Sequence, residues 1–336
     1  MALTPSPRLS PPTPLPWHSE LWDQLWRLEQ SGRFPHALLF SGPHGVGKQK
    51  LAEALVARTL CAENSAMACG ECHSCRMLAA GYHPDLLRIS PEEGKRQIRI
   101  DPVREVNRFV SQTAQQSGYR VIVISPAEAM NVAASNALLK SLEEPGTQTL
   151  FLLLSDVPSR LLPTIRSRCQ QWSLPSVAFA DCRGWLVEAL QGEDEARFWW
   201  QVAGGLPLLA LELAAPEQRA LRQQLHDCFE QLVRGAEPVS EAARLDRQAV
   251  DAILWYGIAW LEDLIGFGLA GDGRTLKNPD LVPLYRQAVK NARVQDWFRL
   301  LDYAREQRRL LAVGANPNPQ LVLEAWLVRW SALLRS

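Results

Sequence analysis

The run Gly42-Pro43-His44-Gly45-Val46-Gly47-Lys48-Gln49 constrains this chain more than any other feature. It lies between a compact apolar stretch at 36–40, which predicts a buried strand, and a segment at 49–60 whose apolar residues recur with helical period. Strand, glycine-rich loop and helix in that order make a phosphate cradle. The glycines Gly42, Gly45 and Gly47 let the backbone approach closely, successive N–H groups point at phosphate oxygens, and Lys48 adds a point charge. Two further apolar runs, 120–124 and 149–154, predict buried strands separated by a helix over 133–144. Strands alternating with helices imply parallel pairing, so the first half of the chain reads as a doubly wound α/β sheet whose working loops gather at its carboxyl edge.

The cradle lacks the groups that hydrolysis needs. Its eighth position should carry a Ser or Thr whose hydroxyl ligates magnesium, and Gln49 stands there instead. The next central strand should end in an acidic pair, one carboxylate for the metal and one for the attacking water. After 120–124 the chain reads Ser125-Pro126, with Glu128 further on. Phosphoryl transfer depends on positioning and charge stabilisation, so hydrolysis of ATP is not expected. Nucleotide binding without hydrolysis stays open, as does a retained loop with an empty pocket.

Cys61, Cys69, Cys72 and Cys75 fall within fifteen residues as Cx7CxxCxxC, directly after the loop-bearing helix, whereas Cys169, Cys182 and Cys228 are scattered. Clustered thiols in a reducing compartment point to metal ligation, and four thiolates suit one tetrahedral zinc ion with no open position for catalysis. An iron-sulfur cluster and free thiols are the other readings. The role expected is structural, because an insertion this short builds no core and metal binding supplies the missing stability.

A third feature follows the strand at 149–154. Arg160, Arg166 and Arg168 crowd into nine residues with no acid after Asp156, so a short segment presents positive charge at one end of the sheet. In ring-forming ATPases such an arginine reaches a neighbour's triphosphate. Arg168 is the candidate, with an ordinary surface arginine as the competing reading.

Residues 1–16 hold six prolines and one arginine without a continuous apolar run, which predicts an extended arm rather than a signal or transit peptide. Trp17 and Trp22 are the residues through which such an arm can dock, and a helix is expected over 21–30. Beyond 175 the pattern is helical throughout and rich in tryptophan, with Trp255, Trp260, Trp297, Trp326 and Trp330 expected chiefly in the core and a minority of such aromatics at a subunit surface. No stretch reaches the roughly 18 apolar residues of a membrane span, so no membrane association is expected and the chain is placed in the cytoplasm. Lys plus Arg, 36, equals Asp plus Glu, 36. Zero net charge argues against a stand-alone DNA-binding module, because affinity for DNA comes largely from phosphate neutralisation.

Taken in order, several segments resemble the delta-prime family of bacterial DNA polymerase III clamp-loader subunits, built on the AAA+ module. They are His36-Ala37-Leu38-Leu39, the four cysteines, Tyr82-His83-Pro84-Asp85, Asp101-Pro102-Val103-Arg104-Glu105-Val106, Asn136-Ala137-Leu138-Leu139-Lys140-Ser141-Leu142-Glu143-Glu144-Pro145 and Ser167-Arg168-Cys169. The resemblance covers nearly the whole chain. It implies an α/β AAA+ P-loop module with a parallel sheet, a zinc-binding insertion, a small helical lid and an all-α C-terminal collar. The corresponding divisions are a proline-rich arm at 1–20, a RecA-like core at 21–174 with the zinc module at 61–75, a lid at 175–214 and a collar at 215–336. Gln49 and Ser125-Pro126 depart from the ATP-hydrolysing motor subunits of that complex, as does Leu208 in Gly205-Leu206-Pro207-Leu208, where motor subunits carry a nucleotide-sensing arginine. The resemblance implies that Arg168, in the Ser167-Arg168-Cys169 motif, is an arginine finger acting in trans. Its implied partners are the gamma/tau motor subunits, the delta subunit, the sliding clamp, and primed DNA through the assembled complex. The alternatives are a motor subunit or another P-loop ATPase, for which steady hydrolysis by the purified chain would speak.

Overall fold

The computed structural model describes residues 11–63, 65–112, 114–116, 118–271, 276–312, 314, 315 and 317–335. Residues 1–10, half of the expected arm at 1–20, therefore lie outside the described residues. Two compact units are present. One carries the chain up to Leu186 together with Leu206–Leu209, and the other carries Val187–Gly205 with the chain from Ala210 onward.

The first unit opens with a 3-10 turn over Pro16–His18 and helix α1, Ser19–Gln30. Strand β1, Ala37–Ser41, leads through the glycine-rich loop into α2, Lys48–Leu60, and then α3, His73–Ala79. There follow β2 (Leu86–Ile89), α4 (Ile100–Ser111), β3 (Arg120–Ile124), α5 (Val132–Glu143), β4 (Thr149–Ser155), α6 (Pro163–Arg166) and β5 (Gln170–Ser173). The five strands among the described residues are parallel, in the order β2-β3-β4-β1-β5. The expected strands are β1, β3 and β4, every residue of which is buried. That is why they read as unbroken apolar runs.

The strand order makes β1 and β4 neighbours although they are far apart in sequence. Chain direction across the sheet reverses between them, so the crevice at their carboxyl ends is the place where an open α/β sheet binds ligands. One face of the sheet packs against α4 and α5: Leu39, Ile122, Ile124, Phe151 and Leu153 meet Val103, Val106, Ala134, Leu138 and Leu142. Each of these fully buried Val, Leu, Ile and Phe side chains contributes about 1.5–3 kcal/mol relative to exposure. Helix α2 packs against β3 and β4, and α1 is pinned to α2 by Arg58, which pairs with Glu29 at 3.1 Å and stacks over Trp26.

Helix α7, Phe179–Leu190, begins in the first unit, as does α9, Pro207–Leu213. The second unit contains α8 (Glu193–Val202), α10 (Pro216–Val233), α11 (Pro238–Arg244), α12 (Val250–Ala270), α13 (Val282–Ala288), α14 (Val294–Ala312) and α15 (Pro319–Leu334). Trp260, Trp297, Trp326 and Trp330 are buried in its core, with Phe229 against three of them at ring-centroid distances of 4.6–5.6 Å. Trp255 is only half-buried.

One sequence expectation needs correcting. Arg247–Ala270, which includes α12, is long and apolar enough by composition to cross a membrane. Ile253, Leu254, Trp260, Leu261 and Leu264 instead face the core of the second unit, where α12 packs along α14, while Leu269 near its end is exposed. The buried Asp263 within it accepts hydrogen bonds from the backbone of Lys277 and Asn278 at 2.9 and 2.7 Å, a carboxylate held by protein donors as burial requires.

Candidate functional site

Loop 42–47 connects the end of β1 to the start of α2 at the strand-order switch. Gly45 and Gly47 have φ of +87° and +100°, conformations open to glycine and strained for other residues. Space matters as much as angle. A Cβ on Gly45 would lie 2.5 Å from Leu209 Cβ, and one on Gly47 would lie 2.7 Å from Leu15 and 2.8 Å from His18. Gly42 anchors the loop by donating its N–H to Ser155 O at 3.2 Å.

The loop is filled by the chain itself. Lys48, 7% exposed, donates from Nζ to Gly42 O at 2.7 Å and to Pro43 O at 2.9 Å, and pairs with Asp156 Oδ1 at 2.6 Å. An ammonium has three protons, and these three acceptors use them all. From the other side, Trp17 Nε1 donates to Val46 O at 2.9 Å and the ring Nε2 of His18 to the same oxygen at 3.1 Å. Burial pushes the pKa of His18 down to about 4, against the hydrogen bond to Val46, so the ring is neutral at pH 7. Leu208 donates its N–H to Gly45 O at 3.0 Å. A cleft of about 330 Å³ beside the loop is lined by Trp17, His18, Val46, Trp172 and Pro175.

The residues standing where hydrolytic groups were sought are occupied elsewhere. Gln49 lies along the exposed face of α2 with its amide donating to Glu53 Oε1 at 3.0 Å. Ser125 and Pro126 follow β3 with a cis peptide bond between them. Glu128, in a 3-10 turn just beyond, accepts the backbone N–H groups of Asp156 and Val157 at 2.9 and 3.2 Å, and so caps the end of β4. Asp156 as the counter-ion of Lys48, and the arm residues Leu15 and His18 on Gly47, were not foreseen; Trp17 docks as the sequence allowed.

Cys61 caps the end of α2, and Cys72 caps α3, on which Cys75 lies. The four Sγ atoms all lie within 4.8 Å of one another, with Cys61–Cys69, Cys69–Cys75 and Cys61–Cys72 at 3.5, 3.9 and 4.0 Å. Four sulfurs each about 2.3 Å from one ion form a tetrahedron with edges of about 3.8 Å, so this donor set fits a single metal ion. Backbone N–H groups of Glu63, Cys69, Cys72 and Cys75 point at the sulfurs from 3.3–3.4 Å, stabilising thiolate charge. Burial raises the Cys72 thiol, but hydrogen bonds from Ala62 and Cys75 outweigh it and bring the pKa to about 7. Burial raises Cys61 and Cys75 above the usual thiol value, and likewise pushes the scattered Cys169 and Cys228 up to about 12 and Cys182 to about 11.

Arg168 sits between α6 and β5. Its guanidinium donates to Thr164 O at 2.9 Å and pairs with Glu143 Oε1 at 2.5 Å, with about a third of the side chain exposed. Ser167 Oγ donates to Thr164 O at 3.1 Å, and Cys169 is buried. Because β5 is parallel to β1 and pairs Gln170 with Leu38 and Ser173 with Ser41, Arg168 precedes the sheet's amino edge while the glycine-rich loop follows its carboxyl edge. The structure thus brings Gly42, Gly45, Gly47 and Lys48 together, groups the four cysteines with one another, and sets Arg168 at the opposite sheet edge from the glycine-rich loop.

Over residues 17–178 the chain matches the family model described as "DNA polymerase III, delta subunit", and over 216–332 the model described as "DNA polymerase III, delta subunit, C terminal". It is 38% identical to DNA polymerase III subunit delta' of Pseudomonas aeruginosa over 324 residues, covering 95% of this chain and 97% of that protein. The delta' subunit of Escherichia coli is 31% identical over 317 residues, covering 94% of each. A gamma/tau subunit of DNA polymerase III from Mycobacterium bovis is 36% identical over 143 residues, 42% of this chain and 25% of that protein. Matched over almost the full length of both delta' proteins, this chain belongs to the DNA polymerase III delta' subunit family.

Proposed function

We propose that this chain is a non-hydrolysing subunit of the clamp loader of the DNA polymerase III holoenzyme, acting in the cytoplasm with gamma/tau motor subunits and a delta subunit. In that complex it helps place the sliding clamp on primed DNA, and it contributes to a DNA-directed DNA polymerase without chemistry of its own. The observation that carries the reading is the spent Lys48: all three protons go to Gly42 O, Pro43 O and Asp156, in a loop without a metal-ligating hydroxyl at Gln49 or an acid pair at Ser125-Pro126. A triphosphate would have to break the Asp156 pair before meeting any positive charge in this cradle.

Arg168 is assigned the role of arginine finger in trans. Support comes from its place at the opposite sheet edge from Lys48, which puts its own cradle out of reach across a five-residue strand, roughly 16 Å. Its guanidinium is free to serve a triphosphate on an adjacent subunit once it leaves Glu143, and a finger of this kind contributes about 10³–10⁵ in rate. The four-cysteine centre is assigned one structural zinc ion. Sulfur separations near the edge of a one-ion tetrahedron favour it over an iron-sulfur cluster, whose irons would hold the thiolates further apart. Residues 175–214 are assigned to a lid and 215–336 to a collar, where apolar helix faces bury against partner subunits. No membrane partner is proposed.

The test uses the reconstituted complex. Arg168→Ala is expected to leave assembly intact while lowering DNA-stimulated ATP hydrolysis at least tenfold; unchanged hydrolysis would refute the assignment. Purified chain with ATP and magnesium is expected to show no turnover, and steady hydrolysis abolished by Lys48→Ala would establish the motor-subunit reading instead.

A further inference from the structure

The His83-Pro84-Asp85 segment has been given no role so far, yet its side chains are among the most buried polar groups in the first unit: His83 is 7% exposed and Asp85 1%. We propose that His83 is a positioning residue of the four-cysteine centre, holding the two chain segments that supply the thiols in register through Ser74.

The hydrogen bonds run in one direction. The backbone N–H of Asp85 donates to His83 Nδ1 at 3.1 Å, so Nδ1 carries no proton and Nε2 carries the ring's one. Nε2–H therefore donates to Ser74 Oγ, 2.6 Å away. The Ser74 hydroxyl is left to donate onward to Leu60 O. Leu60 is the last residue of α2, immediately before Cys61, and Ser74 lies in the first turn of α3 between Cys72 and Cys75. The Ser74 side chain thus ties the end of α2, next to Cys61, to the segment that carries Cys72 and Cys75. It also satisfies a carbonyl that the end of α2 would otherwise leave orphaned.

The anchor behind the ring is firm. The Asp85 carboxylate accepts the backbone N–H groups of Gln115 and Gln116 at 2.7 and 2.8 Å, and Asp85 O accepts Val121 N–H at 2.9 Å from β3. Burial holds the His83 pKa below its usual value, which favours the neutral ring that this pattern requires. His83 is not itself a ligand, because its Nε2 is committed to Ser74 and the four sulfurs already complete a tetrahedral set. Groups that fix ligands from behind typically change metal affinity by about 10–100-fold when removed.

The inference rests on the metal reading given above, and the experiment separates the two. Full-length chain loaded with zinc is mixed with excess 4-(2-pyridylazo)resorcinol, and the rate of zinc transfer is compared among wild type, His83→Phe, His83→Gln and Ser74→Ala. Phe keeps the ring's bulk without its nitrogens, whereas the Gln amide can still donate to Ser74. His83→Phe and Ser74→Ala are each expected to release zinc about tenfold faster or more. Their double variant should be no faster than the quicker single, and His83→Gln should stay within about threefold of wild type. Urea midpoints read alongside report the general stability that a merely structural role would move. Wild-type release rates in both His83→Phe and Ser74→Ala would overturn the inference while leaving the zinc centre standing, as would equal acceleration by Phe and Gln. If His83→Phe does not fold, Ser74→Ala alone decides by the same criterion. A wild-type chain that takes up no zinc overturns the metal reading and this inference together.

Discussion

Acidification from pH 7 to pH 5 should weaken the first unit through His18. The ring is buried against the glycine-rich loop, donates to Val46 O, and has its pKa pushed from 6.5 to about 4 by burial. A histidine whose folded pKa is depressed stabilises the fold fully above the unfolded value, and that stabilisation is lost as pH falls from about 6.5 toward 4. A shift of about 2.5 units corresponds to about 3 kcal/mol when the loss is complete, of which roughly 2 kcal/mol is gone at pH 5. The assay is urea unfolding followed by far-UV circular dichroism at pH 7 and pH 5, for wild type and His18→Gln. Gln keeps a donor for Val46 O and does not titrate. Every other titrating group is common to both proteins, so the difference in their pH dependence isolates His18. Wild type should lose about 2 kcal/mol more than His18→Gln over this interval, with unchanged slopes in urea. Parallel losses would refute the argument that burial keeps this ring neutral.

Other perturbations follow from the same geometry. Gly45→Ala should destabilise the first unit by about 2–3 kcal/mol in urea unfolding, because φ of +87° strains a residue with a Cβ and that atom would meet Leu209 Cβ at 2.5 Å. Gly257→Ala should cost the second unit about 1–3 kcal/mol, since the new methyl would lie 2.2 Å from Cζ2 of the fully buried Trp326; a change below about 0.5 kcal/mol would mean that the core relaxes freely. Metal analysis after reducing purification should find about one equivalent of zinc, and stripping it should make Cys72, whose thiol is brought to about 7, alkylate first, while Cys169, Cys182 and Cys228, pushed up by burial, stay protected.

How legible each strand was depended on where it lies in the sheet. β1, β3 and β4 occupy central positions with both faces covered, so their residues are continuously apolar and could be found in the sequence. β2 and β5 are the edges. Leu86–Ile89 is four residues long and interrupted by the exposed Arg88, and Gln170–Ser173 is mostly exposed, so neither makes a continuous apolar run, and both were missed. Helix α4 passed as a motif, Asp101 to Val106, without its secondary structure being named. The cysteine group was legible because its ligands are close in sequence. Asp156 as the partner of Lys48 was not, since the two residues meet only when β4 is laid beside β1.

The amino-acid order by itself determined which groups are available locally: a glycine-rich loop with Lys48 followed by Gln49, four thiols close enough to share one ion, and a parallel α/β layer followed by helices. Local spacing suffices for these, because each depends on residues a few positions apart. Tertiary structure decided which groups confront one another. It spent the protons of Lys48 on Asp156 and on its own loop, set Arg168 at the far edge of the sheet, and joined His83 to the cysteine segments through Ser74. Such pairings arise from strand order and from burial, which forces each enclosed polar group to find a partner wherever the fold places one.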